Sequence, residues 1–293
     1  MYRGTFTALV TPFHSDGSLD ESAFRKLVDF QFDNGVTGIV PVGTTGESPT
    51  LSYEEHKHVI RIAVEAARGR GPVIGGTGAN STDEAIELTA FAADAGCEAV
   101  LQVAPYYNKP SAEGLFRHFK AVADSTPCKV ILYSVPGRCG IDIPVEVTVR
   151  LAAACPNVVC IKEAGGSVER VNQLLAAVPD GFTVLSGDDS LTLPFIAVGA
   201  TGVISVASNV IPRQMSQMVE AALADDLAGA RSLHRKWYPL LNTLMKLDSN
   251  PVPIKAAMAL AGRMEGGLRL PMIAMDEAKI AELRKVMATL DLL

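Results

Sequence analysis

The sequence predicts an α/β protein: a barrel of eight parallel strands followed by a C-terminal helical appendage. Three observations carry this. Short β-rich apolar runs recur at nearly even spacing and end in Gly, Pro, Asn or Asp, as strands buried on both faces do in a parallel sheet. Amphipathic helical stretches alternate with them strictly. The final part of the chain, 225–293, shows helical patterns only.

The elements follow in order. Thr5–Val10 reads as the first strand, and Glu21–Phe32 as a helix with Phe24, Leu27, Val28 and Phe32 on one face. After the strand Gly38–Val42, Ser52 and Glu55 form a capping box that starts the second helix. Pro72–Gly75 is the third strand, and Ser81 with Glu84 repeats the box. Ala99–Val103 is followed by Ser111 ahead of a helix over 112–124. Lys129–Ser134 leads to a helix with Pro144 near its first turn, a position that proline tolerates. Val158–Ile161 precedes Ser167 and the helix Val168–Val178. Phe182–Leu185 and Gly202–Val206 complete the strands. Eight such units in about 210 residues fit a (β/α)8 barrel. Alternation alone also fits an open, doubly wound sheet. Helices are then expected over Ala222–Leu247, Pro253–Ala261 and Asp276–Leu292. The expected division is a catalytic barrel over 1–224 and a helical region over 225–293.

Composition narrows the function. The 293 residues are 48% apolar and 20% charged, which excludes disordered, collagen-like and coiled-coil chains. The net charge of −6 is unclustered and argues against a nucleic-acid surface. The five cysteines form no C-x-x-C pair, so reduced thiols and a cytoplasmic setting are expected. No signal-peptide pattern opens the chain. The uncharged stretch Leu191–Pro212 is long enough to span a membrane, but Pro194, Gly199, Gly202, Ser205, Ser208 and Asn209 break it up. None of the five histidines has ligand spacing, so no metal is expected.

In a barrel the chemistry sits where the C-terminal ends of the strands meet their loops. Lys162 is the most informative residue there. Strand alternation puts it on the face of Val158 and Cys160. An interior lysine loses hydration, which favours the neutral amine that attacks carbonyls. A lysine snorkelling to the barrel rim is the plainer alternative. Tyr133, on the neighbouring strand, is either a proton shuttle or a core aromatic. Thr44 and Thr45, between glycines, suit a carboxylate held at a helix N-terminus, or are ordinary turn residues. Arg138 stands in an apolar, Gly/Pro-rich stretch and offers a fork for a carboxylate, unless it is a surface arginine.

Together, Gly43-Thr44-Thr45-Gly46-Glu47, Tyr106-Tyr107-Asn108-x-Pro110, Tyr133-Ser134-Val135-Pro136-x-Arg138 and Ile161-Lys162-Glu163 resemble the pyruvate-dependent class I aldolase superfamily. That superfamily includes the dihydrodipicolinate synthases and the N-acetylneuraminate lyases. Ser186-Gly187-Asp188-Asp189, Gly202-Val203-Ile204-Ser205 and Asn250-Pro251-Val252-Pro253-Ile254-Lys255 extend the likeness over the whole chain. The resemblance implies a Schiff base between Lys162 and pyruvate, with Tyr133 as proton donor and acceptor. Thr44 would link Tyr133 to Tyr107, which in this family reaches into the neighbouring subunit. Thr45 would hold the pyruvate carboxylate, and Gly187 and Ile204 would line the pocket. Arg138 would bind the carboxylate of a second substrate. No cofactor is implied beyond the covalent lysine, and the assembly implied is a homotetramer built as a dimer of dimers.

Thr44 together with Arg138 points to the synthase branch, in which the second substrate is L-aspartate 4-semialdehyde on the diaminopimelate route to lysine. The alternative is a lyase for 2-keto-3-deoxy sugar acids or N-acetylneuraminate. Ser48, His56, Asn80, Glu84 and Tyr106 also resemble the L-lysine effector site of feedback-inhibited members. Tyr53 and Pro49 depart from that pattern.

Overall fold

The computed structural model describes all 293 residues. Its strands are β1 (Gly4–Ala8), β2 (Gly38–Val40), β3 (Ile74–Gly76), β4 (Ala99–Val103), β5 (Lys129–Ser134), β6 (Val158–Glu163), β7 (Thr183–Ser186) and β8 (Gly202–Ser205). All pair in parallel, in the order β2-β1-β8-β7-β6-β5-β4-β3. A parallel bridge between Ile39 and Val73 brings the two ends together. The ring is therefore closed, and the open-sheet alternative falls.

The barrel helices are α1 (Glu21–Asp33), α2 (Tyr53–Ala67), α3 (Thr82–Asp94), α4 (Ala112–Asp124), a one-turn α5 (Pro136–Cys139), α6 (Val145–Ala154), α7 (Val168–Ala177), α8 (Thr192–Ala197) and α9 (Pro212–Leu223). Their starts are written in side chains. Ser52 accepts from the Glu55 N–H while Glu55 bonds back to the Ser52 N–H, a complete capping box. Ser81, Ser111 and Ser167 each accept from the third residue of their helix. At Ser81 only the forward half of the box forms.

Strand bounds differ from expectation where special chemistry intervenes. β2 stops at Val40 because Pro41 has no N–H for the ladder. β6 runs two residues past Ile161, so Lys162 lies within the strand. At Gly202, a Cβ would lie 2.0 Å from the Gly4 carbonyl oxygen, so only glycine lets β1 and β8 approach there.

The expected helix Ala222–Leu247 is two helices. Ala222 belongs to α9, and α10 (Leu227–Lys246) begins after a break. Asp225 takes φ 62° at the break. Asp226 then caps α10 by accepting from the Gly229 N–H. α11 (Val252–Leu260) and α12 (Glu277–Thr289) follow. Leu240, Ile254, Met258 and Leu283 of these helices belong to the same core cluster as the barrel residues Phe6, Ile39 and Ile204. Leu191–Pro212 folds into α8, β8 and a 3-10 turn, and no helix is long and apolar enough to cross a membrane. All five cysteines are free and buried.

Candidate active site

Tyr133 and Lys162 are register partners on β5 and β6. Cross-strand partners share a face, so the phenol and the amine meet at one end of the barrel. Lys162 Nζ lies 4.2 Å from the Tyr133 ring centroid, and the two residues are only 5% and 6% exposed. Glu163, the next residue, points to the other face. It accepts from Arg170 Nε at 2.8 Å and from the Gly165 N–H at 2.7 Å. Burial raises its carboxyl above the usual range, while Arg170 pulls it back. Lys162 itself enters no ion pair. Its amine packs against the face of the Tyr133 ring.

Gly187, just beyond β7, gives this lysine room. A Cβ there would stand 3.0 Å from Lys162 Cε and 2.6 Å from Ala164 Cβ. The Gly187 N–H is spent on the Glu163 carbonyl at 2.8 Å. Ile204 is fully buried in β8.

The threonine loop follows β2. Val42 (φ 51°) and Glu47 (φ 55°) are both left-handed and bracket Gly43–Gly46, a backbone that costs energy for non-glycine residues. The expectation of threonines at a helix N-terminus is not met. A 3-10 turn over Ser48–Thr50 intervenes, and α2 is capped by its own Ser52. Any carboxylate would be held by hydroxyls and loop N–H groups, without a helix dipole. Thr45 is buried and its Oγ1 accepts from Asn250 Nδ2 at 3.1 Å.

Arg138 sits on α5, exposed, and Nη2 donates to the Asn250 carbonyl at 3.0 Å. A cavity of about 440 Å³ opens beside it, lined by Thr44, Tyr133 and Arg138. Ser48, His56, Glu84 and Tyr106, together with Tyr53 and Pro49, line the same cavity. In a single chain, the two groups of residues that the resemblance separates therefore share one space. Lys162 is one contact removed, against the Tyr133 ring. Asn80 is not part of the lining; its Nδ2 donates to the Tyr106 carbonyl at 3.2 Å. Tyr107 also lies outside the lining, at φ 71° and 91% exposed. Within one chain, therefore, no Tyr133–Thr44–Tyr107 relay is assembled.

The cavity's electrostatics centre on Glu84. Burial, with Glu84 beside it, pushes the Tyr53 phenol up to about 12. Burial and the same carboxylate also raise Tyr106. Burial holds the His56 imidazole below its usual value, and its Nε2–H donates to the Gly76 carbonyl at 2.8 Å.

The structure adds residues to which the sequence assigned no role. Lys255 Nζ meets Glu47 Oε1 at 2.5 Å, with both side chains essentially inaccessible (0% and 1%). Asp189 Oδ2 accepts from the N–H groups of Val206 (3.1 Å) and Ala207 (2.8 Å), and burial lifts its carboxyl to about 6. The signal was present for Lys255: it is the one charged residue in the apolar helix Val252–Leu260. Its partner could not be read from the local pattern.

A model of the dihydrodipicolinate synthetase family matches residues 1–290. A 4-hydroxy-tetrahydrodipicolinate synthase of Syntrophus aciditrophicus (strain SB) is 50% identical over 287 residues, covering 98% of each chain. The solved 4-hydroxy-tetrahydrodipicolinate synthase of Methylacidiphilum fumariolicum SolV superimposes with a TM-score of 0.97 at 49% identity, covering 99% of this chain and 96% of that one. The solved enzyme of Cyanidioschyzon merolae with lysine bound has a TM-score of 0.96 at 39% identity, covering 100% of this chain and 99% of that one.

Proposed function

The chain belongs to the dihydrodipicolinate synthetase family, and from that premise we propose that it is a 4-hydroxy-tetrahydrodipicolinate synthase, a lyase that joins pyruvate to L-aspartate 4-semialdehyde. The single observation that carries the mechanism is the buried Lys162 amine, free of any ion pair, against the Tyr133 ring.

The Lys162 amine adds to C2 of pyruvate, and water leaves to give an imine. Loss of a C3 proton makes the enamine, whose carbon attacks the aldehyde. The amine of the second substrate then attacks the imine carbon, closes the ring and releases the Lys162 amine. Tyr133 gives and takes the protons of imine formation. Thr45 and the loop N–H groups hold the pyruvate carboxylate, and the Gly187 and Ile204 backbones shape the floor. Arg138 keeps most of its guanidinium fork free for the carboxylate of the semialdehyde, since only Nη2 is engaged. Thr44 with Arg138 supports this branch over the sugar-acid lyases. The reaction needs no cofactor beyond the lysine.

The active unit in this reading is at least a dimer, within a homotetramer of two such dimers. Its support is Tyr107, a left-handed and almost fully exposed tyrosine that would complete the Thr44–Tyr133 relay of a partner. L-lysine is the proposed effector, with Glu84 meeting its ammonium and Asn80, Tyr106, Ser48 and His56 around it. A cytoplasmic location and a division at 224/225 complete the reading.

The test is pyruvate consumption by the purified protein with L-aspartate 4-semialdehyde, with Lys162→Ala as the control. Consumption that requires Lys162 is expected. A folded protein that consumes pyruvate only with sugar aldehydes would overturn the reading.

A further inference from the structure

The segment Asn250–Lys255 comes from the start of α11, outside the barrel, yet two of its side chains end on the threonine loop. Asn250 Nδ2 reaches Thr45 Oγ1 at 3.1 Å, and Lys255 Nζ reaches Glu47 Oε1 at 2.5 Å. Glu47 Oε2 accepts in turn from the Thr50 hydroxyl and the Arg269 N–H, both at 3.3 Å. Phe13 closes the site, its ring centroid 4.2 Å from both Lys255 Nζ and the Arg269 guanidinium. Burying two charges is costly, and a chain retains such a pair only where geometry is well satisfied.

Two consequences follow from elementary chemistry. The Asn250 side-chain amide is a direct hydrogen-bond partner of the Thr45 hydroxyl, which ties that hydroxyl's position to the C-terminal segment. Glu47 is also one of the two left-handed residues that bracket the loop, so its anchor holds a strained backbone in place.

We propose that Lys255 is a positioning residue for the substrate carboxylate: its buried pair with Glu47 sets the Thr44–Thr45 loop, and Asn250 on the same segment fixes where the Thr45 hydroxyl stands. The inference rests on the proposed use of Thr45 for pyruvate. It makes the C-terminal segment part of the machinery, where a simple scaffold would only cover the barrel.

The test reads pyruvate alone, by borohydride trapping on Lys162 across a pyruvate titration, followed by mass spectrometry. Lys255→Met or Glu47→Gln leaves one buried partner unmatched and threatens folding. The double variant Lys255→Met/Glu47→Leu removes both charges and so tests position apart from charge burial. It is expected to fold, melting below the parent because the Thr50 hydroxyl and the Arg269 N–H lose an acceptor, but to need roughly ten- to a hundredfold more pyruvate for half-maximal trapping, the scale of an ångström-sized misplacement. Asn250→Ala introduces no charge and is expected to shift half-saturation in the same direction. If the double variant does not fold, Asn250→Ala carries the test. A parental half-saturation in a folded variant would overturn the proposal, because a purely structural pair changes melting and not pyruvate affinity. Failure of the parent itself to trap pyruvate would overturn the function reading instead.

Discussion

Lys162 and Tyr133 face each other across adjoining strands, in register, with the amine 4.2 Å from the ring centroid and both groups buried. The amine packs over the face of the tyrosine ring. A proton donor held at that position shortens the path for the water that leaves during imine formation. Tyr133→Phe keeps the ring and removes the hydroxyl. Trapping of pyruvate should slow by roughly 10²- to 10⁴-fold, the usual span for a general acid–base group, with Lys162 still modified at the end point. A time course of borohydride trapping reads this directly.

Arg138 is tied to the barrel's C-terminal neighbour by one hydrogen bond, to the Asn250 carbonyl. Arg138→Ala should leave pyruvate trapping near the parental level. A charge-assisted hydrogen bond contributes about 1.5–3 kcal/mol, so kcat/KM for the semialdehyde should fall by roughly ten- to a hundredfold. Tyr107→Phe should instead lower kcat with pyruvate affinity retained. Equal losses of pyruvate trapping in both variants would argue against these assignments.

Glu84 shares its cavity with Thr44, Tyr133 and Arg138. An ammonium ligand seated at Glu84 would therefore occupy the space that opens onto Tyr133. Millimolar L-lysine is expected to lower the initial rate, and Glu84→Gln to abolish that response while the uninhibited rate is kept. Tyr53→His should strengthen inhibition, because the Tyr53 phenol now stands beside the Glu84 carboxylate. A flat rate curve over the same lysine range would remove the effector from the function.

Glu55 is drawn down from 4.5 to about 2 by the Arg269 guanidinium, which bonds both its oxygens. A carboxylate depressed in the folded state stabilises above its unfolded value and loses that contribution as the pH falls through the folded one. The stabilisation is thus complete near neutrality and fades between about 4.5 and about 2. Glu55→Gln should melt below the parent near pH 7, and the gap should narrow by about pH 3. Thermal melts of both proteins at the two pH values would show it. A constant gap would mean that packing, not charge, sets the difference.

Local order was legible in the chain. Serine caps at Ser52, Ser81, Ser111 and Ser167 act within three residues, so their helices start where the sequence says they should. Alternation placed Lys162 on the face of Cys160, because a strand's period of two leaves no other option. The helix break at Asp225 was missed, since no glycine or proline marks it and the apolar periodicity runs across it. The sequence places the start of the second helix at Ser52, but it does not show the 3-10 turn that separates the threonine loop from that helix, because the turn is held by bonds that periodicity does not reveal.

The sequence by itself determined the alternation of strands and helices, their caps, and the face on which the candidate nucleophile lies. These are short-range matters of backbone geometry and side-chain period. Only the tertiary structure decided that the sheet closes through Ile39 and Val73. It alone brought Lys255 to Glu47 across 208 residues of chain and Asn250 to Thr45 across 205. Closure and long-range pairing depend on which surfaces meet once the whole apolar core is packed, and no local pattern encodes the partner of a buried charge.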